Sequence, residues 1–205
     1  MSRAKRISLI LVFTLIFSVI AAFHQNRIGN WIDTEVYDFI YASHSVITTS
    51  IFMGATWIGE VWSMICLSLC VVAILLLRKM QIEALFFAIV MAVSSISNPI
   101  MKNTFDRERP TKLRLVEIGG YSFPSGHAMG STSFFGSLIA LSSHYLDGKP
   151  RIVMISFCIF MIAMICMSRI YLGVHYPTDV IAGVTAGVIC ILGVSLFFKG
   201  KFKSV

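Results

Sequence analysis

The stretch SRIYLGVHYPTD, residues 168–179, stands between two apolar runs, 152–167 and 180–198. An arginine, a histidine and an aspartate sit together where two hydrocarbon-compatible segments meet. Four more runs are apolar enough to cross a bilayer: 7–23, 61–77, 82–101 and 128–146. At about 1.5 Å per helical residue the shorter runs reach roughly 25 Å, a little under the ~30 Å hydrocarbon core, so flanking residues share the crossing. Each span must satisfy its own backbone hydrogen bonds, and runs this continuous lack the alternation of barrel strands, so helices are expected. The 205 residues are 57% apolar and only 13% charged, far from the balance of a soluble domain. The expectation is an all-α polytopic membrane protein with six transmembrane helices, forming one integral membrane domain over residues 1–205. No composition break or internal repeat suggests a second domain.

The first run follows SRAKR and VIAAF is faintly like a cleavage site, but the apolar segment exceeds the ~7–15 residues of a secretory signal, so it reads as a retained helix. Orientation follows the cations. With the N-terminus cytoplasmic, the inner side carries Arg3, Lys5, Arg6, Arg78, Lys79, Lys149, Arg151, Lys199, Lys201 and Lys203, ten of the seventeen Lys and Arg. The outer side holds Arg27, Lys102, Arg107, Arg109, Lys112, Arg114 and Arg169. Orientation does not explain that outer group. The net charge of +7 is split between two faces, which suits a protein between anionic lipid surfaces and argues against a nucleic-acid binder.

All five cysteines, Cys66, Cys70, Cys158, Cys166 and Cys190, fall inside apolar runs and read as small buried apolar residues, not as disulfide or metal partners. Between His24 and Glu60 the chain is more polar. There Ile32, Val36, Phe39 and Ile40 recur at helical spacing beside Trp31, Tyr37 and Tyr41, the pattern of an interfacial amphipathic helix. Its acids Asp33, Glu35 and Asp38 read as the wet face. Gly126/Gly130 and Gly183/Gly187, each four residues apart, predict close approach of the helices that carry them.

Counting crossings decides which polar segments meet. The loop after the third run, 102–124, and the one after the fifth, 168–179, are separated by two crossings and emerge on the same, outer face. The first opens KNTFDRERP, with Lys102, Arg107 and Arg109, and closes YSFPSGH, where Ser125, Gly126 and His127 begin a helix. The second presents Ser168, Arg169, His175 and Asp179. Fixed cations, a hydroxyl and the free N–H groups of a helix start converge on an anion, and the arginine fork suits phosphate. Two histidines go beyond binding. One can attack phosphorus while the other protonates the leaving alkoxide and later deprotonates water. Asp179, four residues after His175, is spaced to reach one imidazole nitrogen. Taken singly, each residue has a plainer reading: a structural interfacial histidine, a snorkelling Arg169, a basic loop against anionic lipid. A metal site on His127, His175 and Asp179 is the other alternative, disfavoured by scarce carboxylates and surrounding cations.

KNTFDRERP fits K-x6-R-P, PSGH is intact, and SRIYLGVHYPTD fits S-R-x5-H-x3-D. In that order they resemble the three signature motifs of the type-2 phosphatidic acid phosphatase family. The resemblance implies six helices around an extracytoplasmic interfacial active site, in a bacterial cell membrane with both termini cytoplasmic. It implies a phosphatase that uses no metal and no cofactor. Lys102, Arg109, Ser125, Gly126 and Arg169 would hold the phosphoryl group, with His175 as nucleophile, Asp179 its partner and His127 the acid and base. Arg107, Lys112 and Arg114 lie outside the motifs and read as headgroup contacts or solvated charge. The implied partners are a membrane lipid phosphate and the bilayer, with no nucleic acid. The implied substrate is phosphatidylglycerophosphate, with phosphatidic acid as a second candidate; undecaprenyl diphosphate is an alternative that the motifs do not separate. A non-catalytic anionic-lipid-binding protein is the alternative of another class.

Overall fold

A computed structural model of the chain describes residues 1–41, 44–111, 114–198 and 202. Among these residues there are eight helices and no strand: α1 (Arg3–Phe23), α2 (Arg27–Tyr41), α3 (Val46–Ile58), α4 (Val61–Leu77), α5 (Gln81–Phe105), α6 (Gly126–Tyr145), α7 (Gly148–Tyr171) and α8 (Pro177–Ser195). Local chemistry sets their ends. Ser125 caps α6 by accepting from Ala128 N, and α8 begins with Pro177 at its first turn and Asp179 accepting from Tyr176 N at 2.8 Å. Pro99 sits inside α5, where it removes one intrahelical donor.

Helix α6 is the axis of the bundle, touching α4, α5, α7 and α8, while α1 packs on the far side of α8. Glycines set the α6–α8 distance. A Cβ on Gly183 would stand 2.6 Å from Ser125 O, and one on Gly187 would stand 2.8 Å from Thr132 Cβ, so both positions need a residue without a side chain. Gly130 does not share that role, because a Cβ there would meet nothing within 4 Å. Phenylalanines fill the layers next to the axis: Phe87, Phe134 and Phe135 on one side, and Phe17, Phe105 and Phe123 near the polar end.

Four helices are long and apolar enough to cross a membrane, α1, α5, α7 and α8, and a fifth span arises if α3 and α4, bent by 55° at their junction, count as one. The expected six crossings therefore do not follow from length and composition. The shortfall is α6, whose Ser131, Thr132, Ser133 and Ser137 are buried in protein. A helix enclosed by neighbours need not be oily, and two of these hydroxyls return to the helix's own carbonyls, Ser131 to Ala128 O and Ser137 to Ser133 O.

Three expectations need correction. The segment between His24 and Glu60 holds two helices, α2 and α3, not one. Asp33 is not part of a wet face: it is buried, whereas Glu35 and Asp38 are exposed. Cys66 and Cys70 are exposed on α4, so only Cys158, Cys166 and Cys190 are buried.

Candidate active site

A cleft of about 630 Å³ opens between α4, α5 and α6. Its polar end is lined by Glu60, Lys102, Arg109, His127 and His175, and its depth by Ile65, Leu69, Val72, Phe87 and Met91. The combination of a cationic end with an apolar slot suits an amphiphile carrying an anionic head.

His175 follows the end of α7, in a turn where Gly173 adopts φ +68° and the peptide N–H groups of Val174 and His175 both donate to Arg169 O. The imidazole is almost fully buried. Arg109 Nη1 approaches its Nε2 at 3.1 Å, and since a guanidinium only donates, Nε2 is the acceptor nitrogen with its lone pair free of a proton. Nδ1 therefore carries the hydrogen, facing Asp179 Oδ2 at 3.4 Å and Ser122 Oγ at 3.3 Å. Burial, opposed by Asp179, pushes this imidazole down to about 3. It is held neutral with one nitrogen ready to attack.

Asp179 is fully buried yet saturated with partners. Its Oδ2 accepts from Tyr176 N and from the Ser122 hydroxyl, while Oδ1 accepts from Arg107 Nη1 at 2.6 Å. Arg107 is accordingly neither solvated nor a headgroup contact. It is buried, donates through Nη2 to Asp33 Oδ2 at 2.7 Å and to His24 O at 2.8 Å, and stacks its guanidinium 3.9 Å above the Tyr176 ring. Asp33 also accepts from Thr178 N and Thr178 Oγ1, each at 2.9 Å. One guanidinium thus ties α2 to the first turn of α8 through two carboxylates.

The other cations surround the cleft. Arg109 is fixed by Gly120 O at 2.9 Å and Val174 O at 2.9 Å, and burial lowers its guanidinium from the ordinary value. The Lys102 amine, in the last turn of α5, donates to Tyr121 O. Arg169 is buried and donates through Nη1 to Thr56 Oγ1, while its Nε and Nη2 have no hydrogen-bond partner among the described residues. Two unpaired buried donors are a standing demand for an acceptor. Gly126 lines the cleft, and a Cβ there would come 2.9 Å from Asn98 Oδ1. Ser125 is fully buried and its Oγ accepts from Ala128 N at 3.4 Å, capping α6, and Ser168 Oγ donates to Ile165 O within α7. Arg114 pairs loosely with Glu117, 3.6 Å away, and Lys112 lies outside the described residues.

His127, the second residue of α6, has its Nε2 3.2 Å from Glu60 Oε1. Among the described residues no group of three His, Cys, Asp or Glu side chains is placed to hold a metal ion. Sequence reasoning passed over Glu60, Asp33 and Ser122. Glu60 did leave a signal, as a single acid flanking an apolar run. Asp33 and Arg107 left none, being far apart in the chain.

Comparison with known proteins places this geometry. The chain is 26% identical over 200 residues to phosphatidylglycerophosphatase B of Bacillus subtilis (strain 168), covering 96% of this chain and 93% of that protein. It is 31% identical over 134 residues to an undecaprenyl-diphosphatase of Sulfolobus acidocaldarius, 62% of this chain and 60% of that one. Its fold superposes on the crystal structure of the transmembrane PAP2-type phosphatidylglycerolphosphate phosphatase from Bacillus subtilis with a TM-score of 0.85, at 23% identity over 95% of this chain and 97% of the other. The PAP2 superfamily profile matches residues 83–203, which take in Lys102, Arg109, His127, Arg169, His175 and Asp179. With that match over more than half its length, the chain belongs to the PAP2 superfamily and is a phosphatase.

Proposed function

We propose that the chain is a single-domain membrane enzyme that removes the terminal phosphate of phosphatidylglycerophosphate, giving phosphatidylglycerol and phosphate through a phosphohistidine on His175. The observation that carries this reading is the His175 ring, neutral and buried, with Nε2 accepting from Arg109 and Nδ1 against Asp179, at the cationic end of an apolar cleft. Lipid phosphate enters with its tail along Ile65, Leu69 and Met91, and its phosphoryl oxygens draw Arg109 off Nε2. Lys102, Arg109, Arg169 and the N-terminus of α6 at Gly126 hold the oxygens. Nε2 attacks phosphorus; His127 protonates the departing lipid alkoxide and then takes a proton from the water that cleaves the P–N bond. Asp179 balances the positive imidazole formed on attack. Neither a metal nor a cofactor enters this scheme.

The bilayer arrangement in this reading has α1, α4, α5, α6, α7 and α8 as the six crossings, with α2 at the interface and the α3–α4 elbow at the cleft. Arg3, Lys5, Arg6, Arg78, Lys79, Lys149 and Arg151 then face the cytoplasm, and the cleft mouth faces the opposite side. Identity over nearly the full chain favours phosphatidylglycerophosphate over undecaprenyl diphosphate. The test is phosphate release in detergent from phosphatidylglycerophosphate, phosphatidic acid and undecaprenyl diphosphate, compared by kcat/KM. The highest value for phosphatidylglycerophosphate is expected. A higher value for undecaprenyl diphosphate would move the enzyme to carrier-lipid recycling, and no release from any lipid would leave an anionic-lipid binder.

A further inference from the structure

The family motifs say nothing of the α3–α4 elbow, yet three of its residues reach the site. Thr56 Oγ1 accepts from Arg169 Nη1. Gly59 packs on the His127 ring so closely that a Cβ would stand 2.9 Å from its Cδ2 and 2.8 Å from Ile165 Cγ2. Glu60 Oε1 stands 3.2 Å from His127 Nε2. The 55° bend between α3 and α4 is what presents these side chains to α6 and α7.

Glu60 is the only carboxylate lining the cleft among the described residues. An acid beside a phosphate site weakens phosphate binding, so its presence there calls for a compensating use. Arg169 on α7 and Arg109 ahead of α6 are the other charges near His127. Glu60 is the one acid among the described residues set against its ring, and a carboxylate at that distance favours an imidazolium. Its side chain is about half exposed, 48% against 10% for His127, so it has room to turn aside.

We propose that Glu60 is a positioning residue for His127: it turns the ring so that Nε2 carries its hydrogen into the cleft, eases formation of the imidazolium there, and gives up its place at Nε2 to the leaving-group oxygen when lipid phosphate binds. The inference rests on the acid role of His127 in the proposed function. In each cycle His127 gives its Nε2 proton to the lipid alkoxide as the P–O bond breaks. Neutral His127 then removes a proton from water as the new P–O bond forms and the P–N bond to His175 breaks. Glu60 swings back onto the restored imidazolium, and its negative charge helps phosphate leave.

The experiment uses the full chain in detergent micelles and two substrates, phosphatidylglycerophosphate, whose alkoxide needs a proton to depart, and para-nitrophenyl phosphate, whose phenolate does not. Glu60→Gln is expected to slow the lipid reaction about tenfold and the aryl reaction less than twofold. It should also move the alkaline limb of kcat/KM for the lipid down by about one pH unit, as loss of one close opposite charge does. Glu60→Asp should restore most of the lipid rate. Equal losses on both substrates, or an unmoved limb, would overturn the proposal. His127→Ala, run in parallel, separates the two levels. If it shows the leaving-group preference and Glu60→Gln does not, Glu60 alone is misassigned; if it shows none, the acid role of His127 falls and this inference with it.

Discussion

Arg107 Nη1 donates to Asp179 Oδ1 at 2.6 Å, on the carboxylate oxygen that His175 does not use. The other half of the same guanidinium is held by Asp33. Orientation of His175 therefore depends on a helix, α2, that contributes nothing to the cleft lining. Removing one member of a buried ion pair leaves an uncompensated charge and costs about 3–5 kcal/mol. Arg107→Ala should lose that much stability in a denaturant titration and most of its activity. Arg107→Lys keeps the charge but cannot fork between two carboxylates, so kcat should fall with little change in KM. An Arg107→Lys enzyme with normal kcat would show that the Asp33 connection is unnecessary for catalysis.

How much of this was legible without coordinates depends on the distance between the partners. PSGH, with its serine at a helix start, and the four-residue step from His175 to Asp179 are local patterns, and local geometry follows from spacing. Asp33 and Arg107 meet only because α2 folds over the first turn of α8, and no periodicity in either segment encodes that meeting. Asp33 shares its helix with the exposed acids Glu35 and Asp38, so composition alone assigns all three to water. The same holds for α6: hydropathy measures contact with lipid, and a helix wrapped by four others has little. Glu60 at His127 required the α3–α4 bend, which the apolar pattern does not announce.

Chelation gives a further check. Three cations and the α6 N-terminus would already surround the phosphoryl oxygens, a duty that magnesium performs in many phosphatases. Turnover should be unchanged in excess chelator once substrate presentation is controlled. Lost activity that magnesium or zinc specifically restores would mean that the site works differently.

The pH dependence has a definite sign. A folded-state value of about 3 for His175, against ~6.5 for a free imidazole, keeps the attacking form neutral through the mildly acidic range. Corrected for ionisation of the substrate phosphate, kcat/KM should therefore hold as pH falls through 6.5 towards 5. It should decline on the alkaline side, where His127 loses its proton. An acid limb with a midpoint near 6.5 would show that His175 titrates as an ordinary histidine in the working enzyme.

Sidedness can be read directly. A cysteine at Thr111, exposed just after Pro110, should react with an impermeant thiol reagent on intact cells in a variant otherwise free of cysteine. One at Lys149, exposed at the start of α7, should react only after permeabilisation. The reverse pattern would put the cleft mouth in the cytoplasm.

The division of labour between the histidines can be separated by trapping the intermediate. His175 has its Nε2 lone pair facing Arg109, and its Nδ1 hydrogen is fixed by Asp179 and Ser122. His127 stands against Glu60 on the other wall of the cleft. His175→Ala should abolish both phosphoenzyme and turnover, because it removes the nitrogen that attacks phosphorus. His127→Ala should still bind phosphate while losing the roughly 10²–10⁴-fold that a positioned acid or base supplies. Asp179→Asn preserves shape but removes the charge that balances the attacking imidazole, so phosphoenzyme should form more slowly without loss of the anion site. Ser122→Ala, which removes one hydrogen bond to that carboxylate, should slow formation by about tenfold, the rate equivalent of ~1.4 kcal/mol. The deciding measurement is rapid acid or alkaline quench with phosphate-labelled lipid, followed by mapping of the label by mass spectrometry. Label on His175 is expected, since its Nε2 presents a free lone pair while its Nδ1 faces the oriented Asp179 carboxylate. Label on His127 or Ser125, with none on His175 at any quench time, would reverse the assignment.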